Sequence, residues 1–190
     1  MLEGTQICLR DLVLDDMEAF AYWQEPGHEW QKLDGPYYPK TPLSATQRQT
    51  MHDKIVAGDL PDPRTRLAIV DRDSDTLCGM VTRYWISQET NWTAVGIVIF
   101  APVHWGNGGG YEALGLWSDY LFRTMPEIVR LDLRTWSGNQ GMMRLALKLG
   151  YQQEARFRRA RIVQGTYYDG LGYGILREEW NVKYPQGFKP

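Results

Sequence analysis

Apolar residues fall into two patterns along the chain: short runs and alternations of the strand type, and stripes at helical spacing. Ile7-Cys8-Leu9 starts a first short strand. Asp15 and Asp16 stand where an N-cap belongs, ahead of Met17, Phe20 and Ala21 at helical spacing. From Glu25 to Pro42 the chain is rich in Pro, Gly and aromatics and reads as a structured loop. Ser44 with Gln47 makes a capping box that opens a helix reaching Ala57, and Pro61 and Pro63 mark a second loop. Three strands are predicted next, Leu67–Asp71, Leu77–Ile86 and Ala94–Phe100, divided by the polar turns DRDSD and SQETN. The third is almost wholly apolar, as a strand covered on both faces would be. A glycine cluster then leads into a helix over Tyr111–Phe122, followed by an alternating strand over Ile128–Thr135. Asn139 can cap a helix whose stripe is Met142, Leu145, Ala146 and Leu149, with Gly150 as its C′ residue. Strands at Gln152–Gln164 and Gly170–Glu179 close the chain. Hairpins and crossovers both occur, so the pattern predicts an α/β fold with mixed strand directions.

The glycine cluster, Trp105-Gly106-Asn107-Gly108-Gly109-Gly110, lies between a strand and a helix. Glycines let the backbone approach a ligand and gather N–H groups into a concave anion site. The following helix aims the positive end of its dipole at the same place. A phosphate or pyrophosphate suits such a site, although a turn that needs positive φ angles would also use glycines. A Walker A loop is excluded, because Gly110 is followed by Tyr111 and Glu112 where Lys and Ser/Thr are required. Gly108, Gly110 and Ala113 do fit a G-x-G-x-x-A dinucleotide fingerprint, with Asp132 downstream. Against that alternative, Asp132 lies inside an alternating strand, the loop comes past the middle of the chain, and the last quarter is a hairpin.

Composition narrows the field further. In 190 residues, 43% are hydrophobic and 23% charged, the profile of one folded domain spanning 1–190. Lys plus Arg number 21 and Asp plus Glu 23, so no basic excess points to general nucleic-acid binding. The longest apolar stretch, Ala94–Val103, is interrupted by Pro102 and is about half what a bilayer span requires. The opening residues carry acids and no apolar export segment, so a cytoplasmic location is expected. Cys8 and Cys78 make neither a disulfide framework nor a metal cluster, and no metal is expected.

Several of these residues together resemble the GNAT superfamily of acetyl-CoA-dependent N-acetyltransferases, and within it the RimJ/RimL branch. Trp105-Gly106-x-Gly108-x-x-x-Glu112-Ala113 is similar to that branch's variant of the pyrophosphate loop. Asn139, Lys148, Gly150 and Tyr151 match a second signature, and Gly165 to Trp180 resembles the closing hairpin. The resemblance spans essentially the whole chain and implies a mixed, mostly antiparallel central sheet flanked by about four helices. It implies acetyl-CoA as co-substrate, with backbone amides of Asn107, Gly108, Gly109, Gly110 and Tyr111 holding the pyrophosphate beside Trp105 and Gly106. The strand end Ile97, Val98, Ile99 and Phe100 would pair with the pantetheine arm, and an N–H there could polarise the acetyl carbonyl. Asn139 would contact the pantetheine side, or simply cap its helix; Lys148 would sit near the nucleotide end, or be a solvated residue of the last turn. The tyrosine that many members use to protonate the departing thiolate falls at Ala146, which has no proton to donate.

Acyl transfer to an amine needs a neutral nucleophile and a route for its proton. Glu29, Asp34, His28 and Glu89 are candidate bases by position alone; none is singled out. Glu112 reads chiefly as an acid complementing a helix dipole, and neither His104 nor His52 has the spacing of a ligand pair. The segment with Trp30, Asp34, Tyr37 and Tyr38 could form an acceptor wall, since aromatics with an acid suit a cationic amine, or could simply pack on the sheet. Arg156, Arg158, Arg159 and Arg161 form a basic run that could meet the 3′-phosphate, an acidic protein or RNA, an exposed strand face being the commoner explanation. The reading is therefore an acetyltransferase acting on a protein N-terminus or a small amine, such as a polyamine or an antibiotic. The alternatives are a non-catalytic acyl-CoA-binding or regulatory domain and a dinucleotide-binding protein. An exposed closing hairpin would allow a homodimer.

Overall fold

Where short polar turns join strands the pairs are antiparallel, and where a helix intervenes a crossover is possible. The computed structural model describes residues 1–190 and follows this rule. Its strands are β1 (Leu2–Glu3), β2 (Ile7–Arg10), β3 (Arg66–Asp71), β4 (Leu77–Ser87), β5 (Trp92–Ile99), β6 (Arg130–Trp136), β7 (Gln152–Val163) and β8 (Thr166–Leu176). They form one sheet in the order β1-β2-β3-β4-β5-β6-β8-β7. All neighbours are antiparallel except β5 and β6, which are parallel. One parallel pair does not make a doubly wound sheet, and Asp132 is held by Arg130 through Nε at 2.7 Å; the dinucleotide-binding alternative fails on both counts.

The helices are α1 (Met17–Gln24), α2 (Ala45–Ala57), α3 (Gly109–Thr124), α4 (Gln140–Leu149) and α5 (Arg177–Lys183). Strand alternation sorts the core onto two faces. Ile7, Leu9, Leu67 and Ile69 join the larger cluster beneath α3, α4 and α5. Their neighbours Cys8, Ala68 and Val70 join a smaller one with Phe20, Trp30 and Phe100 on the opposite face. On α3, Ala113, Leu114, Trp117 and Leu121 are fully buried at helical spacing. Each large side chain of that stripe stabilises by about 1.5–3 kcal/mol, and the Trp117 Nε1–H donates to the Thr82 carbonyl at 3.0 Å. The helix behind the glycine cluster is therefore a fixed support. No helix is long and apolar enough to cross a membrane.

Three boundaries differ from the sequence reading. The chain begins with an additional two-residue strand, β1. The helix after the glycines starts at Gly109, so the last two glycines belong to its first turn. The final strand runs Thr166–Leu176 and not Gly170–Glu179, and a fifth helix follows. The Glu179 carboxylate accepts from the Leu176 N–H at 2.9 Å and turns the chain into α5. Arg177 clamps that turn against the end of α3 by donating to the Met125 and Ile128 carbonyls at 2.7 and 2.5 Å.

Candidate active site

The parallel pair holds the feature around which the site is built. β5 and β6 are paired only at Thr93↔Leu131, Ala94↔Asp132 and Val95↔Leu133. Beyond that, β5 continues beside β4 to Ile99, while β6 continues beside β8 to Trp136. The sheet thus splits into a V whose closed end is at Val95. The Phe100 N–H donates to Cys78 on β4 at 2.8 Å. By strand alternation, Ile97 and Ile99 direct their backbone groups away from β4, into the gap. The Ile99 carbonyl is taken by the Trp105 indole N–H at 2.9 Å, which leaves Ile97 as the free edge.

That same indole bond pins the glycine loop to the end of β5. Within the loop the Asn107 amide donates to Val103 at 3.0 Å. Gly108 is the N-cap of α3 with φ +97°, a left-handed conformation that favours glycine. The N–H groups of Gly106, Asn107, Gly108, Gly109 and Gly110 find no acceptor in the chain, whereas those of Tyr111 and Glu112 turn back to the Gly108 carbonyl. The free donors stand at the positive end of a sixteen-residue helix. Lys148 lies over the Tyr111 ring at 4.3 Å and adds a cation next to that first turn. Glu112 is committed elsewhere: its buried carboxylate accepts from the Thr5 and Gln6 N–H groups, both at 2.9 Å, and from the Thr5 hydroxyl. It ties the β1–β2 turn to α3 and keeps its charge off the free donors.

On the other arm of the V, a backbone oxygen organises the loop that follows α1. The Leu33 carbonyl accepts from Trp136 Nε1 at 2.8 Å and from Asn139 Nδ2 at 3.2 Å. The loop after α1 is thereby fastened to the end of β6 and the start of α4. Asn139 also caps α4 through the Met142 N–H at 3.0 Å, so both ends of its amide have structural partners. Tyr168 packs edge-on against Trp136 at 4.8 Å, and Arg161 covers the Tyr37 ring at 4.7 Å, bringing the β7–β8 hairpin to the same loop. Trp136, Leu33 and Arg161 organise this end; of these, only Arg161, as part of the basic run, stands out in the sequence.

Some anticipated residues do not join. Phe100 is fully buried in the smaller cluster with its N–H bound to β4, so neither side chain nor amide meets the gap. Trp30 is 5% exposed, donates to the Trp23 carbonyl and packs 5.6 Å from Phe100. It is core, and of the expected acceptor wall only Asp34, Tyr37 and the exposed Tyr38 lie outside the core. Val98 packs towards the same smaller cluster. Glu89 sits in the β4–β5 turn, with the three paired positions between it and the gap. Glu29 pairs with Lys32 at 2.5 Å and Asp34 with Lys40 at 3.1 Å. His28 is held by the Tyr22 carbonyl at 2.8 Å. Ala146 is fully buried. Tyr151 donates to or accepts from Ser118 at 2.8 Å, and burial pushes its hydroxyl well above the usual range. Cys78 lies 3.7 Å from His104, but burial raises the thiol and keeps it neutral.

The arrangement offers an anion cradle, an extended strand edge beside it, and a loop-walled mouth at the far end. An acetyltransferase (GNAT) domain model matches residues 6–152. The uncharacterized N-acetyltransferase YoaA of Bacillus subtilis (strain 168) is 30% identical over 178 residues, 93% of this chain and 97% of that one. The prophage-derived YokL of the same organism is 24% identical over 181 residues, covering 95% and 96%. A spermidine N-acetyltransferase from Vibrio cholerae, solved with CoA and spermine, superposes with a TM-score of 0.72 over 93% of this chain and 99% of that one. At 19% identity, that likeness establishes the fold.

Proposed function

This chain belongs to the GNAT acetyltransferase family, and on that premise we propose that it moves the acetyl group of acetyl-CoA directly onto a primary amine. The observation that carries the proposal is the juxtaposition of the V between β5 and β6 with the five free N–H groups of Gly106–Gly110. A pyrophosphate on those donors places the pantetheine arm along the Ile97 edge, where it completes the sheet as a strand would. The resemblance to the RimJ/RimL branch belongs to the same proposal and rests on Trp105, Gly106, Gly108, Glu112 and Ala113.

In the reaction the amine lone pair adds to the thioester carbonyl carbon. The C–S bond then breaks with its electrons on sulfur, and the amine proton is lost. The Ile97 N–H, directed into the gap, is the donor for the carbonyl oxygen as it gains negative charge. Asp34, exposed at the mouth, is already paired with Lys40, so no side chain is assigned as base and the amine proton passes to water. With Ala146 at the family's tyrosine position, sulfur leaves as thiolate and takes its proton from solvent.

The test is a calorimetric titration with acetyl-CoA, CoA and NADH, followed by thiol release in the presence of amines. Binding of both CoA species without NADH, and thiol release only with an amine, is the expected result. Release that needs no amine overturns the proposal in favour of thioester hydrolysis, and no release with any amine overturns it in favour of a binding domain.

A further inference from the structure

The two sides of the acceptor mouth differ in how their charges are compensated. Every carboxylate of the loop after α1 already has a cation: Glu25 with Arg48, Glu29 with Lys32, Asp34 with Lys40. Asp169 on the hairpin accepts from Arg156 Nε at 2.6 Å and from the Arg159 N–H at 2.8 Å. The other arginines of the same hairpin are in the opposite condition. Arg158 and Arg159 make no ion pair, and with Arg156, Phe157 and Asp169 they line an open concavity of about 860 Å³ on the hairpin, which neither Asp34 nor Tyr37 lines. Arg161 lies across Tyr37, finds one acceptor in the chain, the Ala160 carbonyl at 3.0 Å, and has a buried Nε–H with no partner.

The sealed Nε–H leaves Arg161 under-satisfied, and its Nη2, open to solvent and without a partner in the chain, is the donor an incoming anion would meet. We propose that the acceptor amine of this enzyme carries an acidic group, a carboxylate or phosphate, received by Arg161 with Arg158 and Arg159 supplying the surrounding positive field. The inference rests on the acetyl-transfer reading and refines it. A polycationic acceptor would need free carboxylates at this mouth, where each carboxylate of the loop is already paired and the Arg161 guanidinium is not. The 3′-phosphate of CoA is the less suitable occupant. Its nucleotide end follows the pyrophosphate cradle on the β5 arm, next to Lys148, whereas these arginines stand on the β6 arm.

The experiment measures kcat/KM for two peptides differing only at their second and third residues, Ser-Glu-Glu and Ser-Lys-Lys, beside glutamate, O-phosphoethanolamine and spermidine. At least one acidic amine should exceed both spermidine and the lysine peptide by about tenfold, with the margin shrinking as salt rises. The peptide arm and the small-molecule arms separate the two sources of the acid. Arg161→Gln should reduce that margin to below about threefold while the KM for acetyl-CoA stays unchanged. Arg158→Ala, at an exposed position, provides a second variant free of packing effects. Preference for spermidine, or a rise in the acetyl-CoA KM in either variant, overturns the inference and leaves acetyl transfer standing. Calorimetric binding of the acidic peptide to the CoA complex without turnover supports the anion site and overturns the transferase reading. Absence of both binding and turnover overturns both.

Discussion

Replacing Gly110 with glutamate should separate the stability of the fold from the affinity for acetyl-CoA. Gly110 has no positive φ, and a Cβ built there lies 3.8 Å from Leu145 Cδ2, an ordinary contact. The side chain therefore fits. A carboxylate in the first turn of α3 also complements the helix dipole, adding about 0.3–1 kcal/mol to stability. The same carboxylate faces the cradle. Against two pyrophosphate charges at about 5 Å, with an effective dielectric between roughly 40 and 80, it costs about 1.7–3.3 kcal/mol of binding, a loss of about 16- to 270-fold. Melting temperature and acetyl-CoA affinity should consequently move in opposite directions. Gly110→Gln, equal in size and uncharged, should lose less than about tenfold. Raising the salt should recover affinity in the glutamate variant only. Equal losses in both variants would show that bulk and not charge is responsible, and unchanged affinity in both would remove the cradle from the site. Gly108 offers no such separation, since its φ of +97° makes any side chain strain the N-cap as well.

Gly115→Ala should destabilise by about 1–3 kcal/mol, because the added methyl overlaps the Phe188 ring that packs the C-terminal residues on α3; the companion change Phe188→Ala should make the two losses less than additive in chemical denaturation. Asn139→Ala should cost about 1 kcal/mol as a lost helix cap, and because the same amide fastens Leu33, it should raise the acceptor KM more than the acetyl-CoA KM. The Arg159 N–H bond and Arg156 hold the Asp169 carboxyl below its usual range. A depressed carboxylate contributes fully above its unfolded value of about 3.9 and ceases to contribute as pH falls through the folded one. The protection factor of the Arg159 amide, its exchange relative to the intrinsic rate at each pH, should therefore fall as pH drops through the folded value, and in Asp169→Ala it should be low and flat across the same range.

What could be read from the sequence was local. Ser44 with Gln47, and Asn139 with Gly150, are signals contained within four to twelve residues, and the helices they bound lie where expected. The glycine cluster was legible for the same reason: its conformation and its free N–H groups depend on residues adjacent in the chain. The closing segment shows where locality fails. Leu176 has no side-chain oxygen to announce a helix, so the apolar run through Ile175 reads on as strand; α5 exists because Glu179 reaches the Leu176 N–H and Arg177 finds carbonyls at the end of α3. Long-range pairing was equally hidden. Nothing in Ala94–Phe100 tells that β6 leaves it after Val95, since that depends on which partner each strand keeps. The acceptor loop combines both difficulties. Trp30 and Tyr37 share an aromatic stretch, yet one is buried under Phe100 and the other meets Arg161, a division made by partners far along the chain. The tether that holds the loop is a backbone carbonyl at Leu33, and no side-chain type reveals which carbonyl a distant tryptophan will find. The proposed cofactor half is thus carried by a contiguous segment, whereas the proposed acceptor half is assembled from three separate ones, and its charge pattern becomes visible only once they meet.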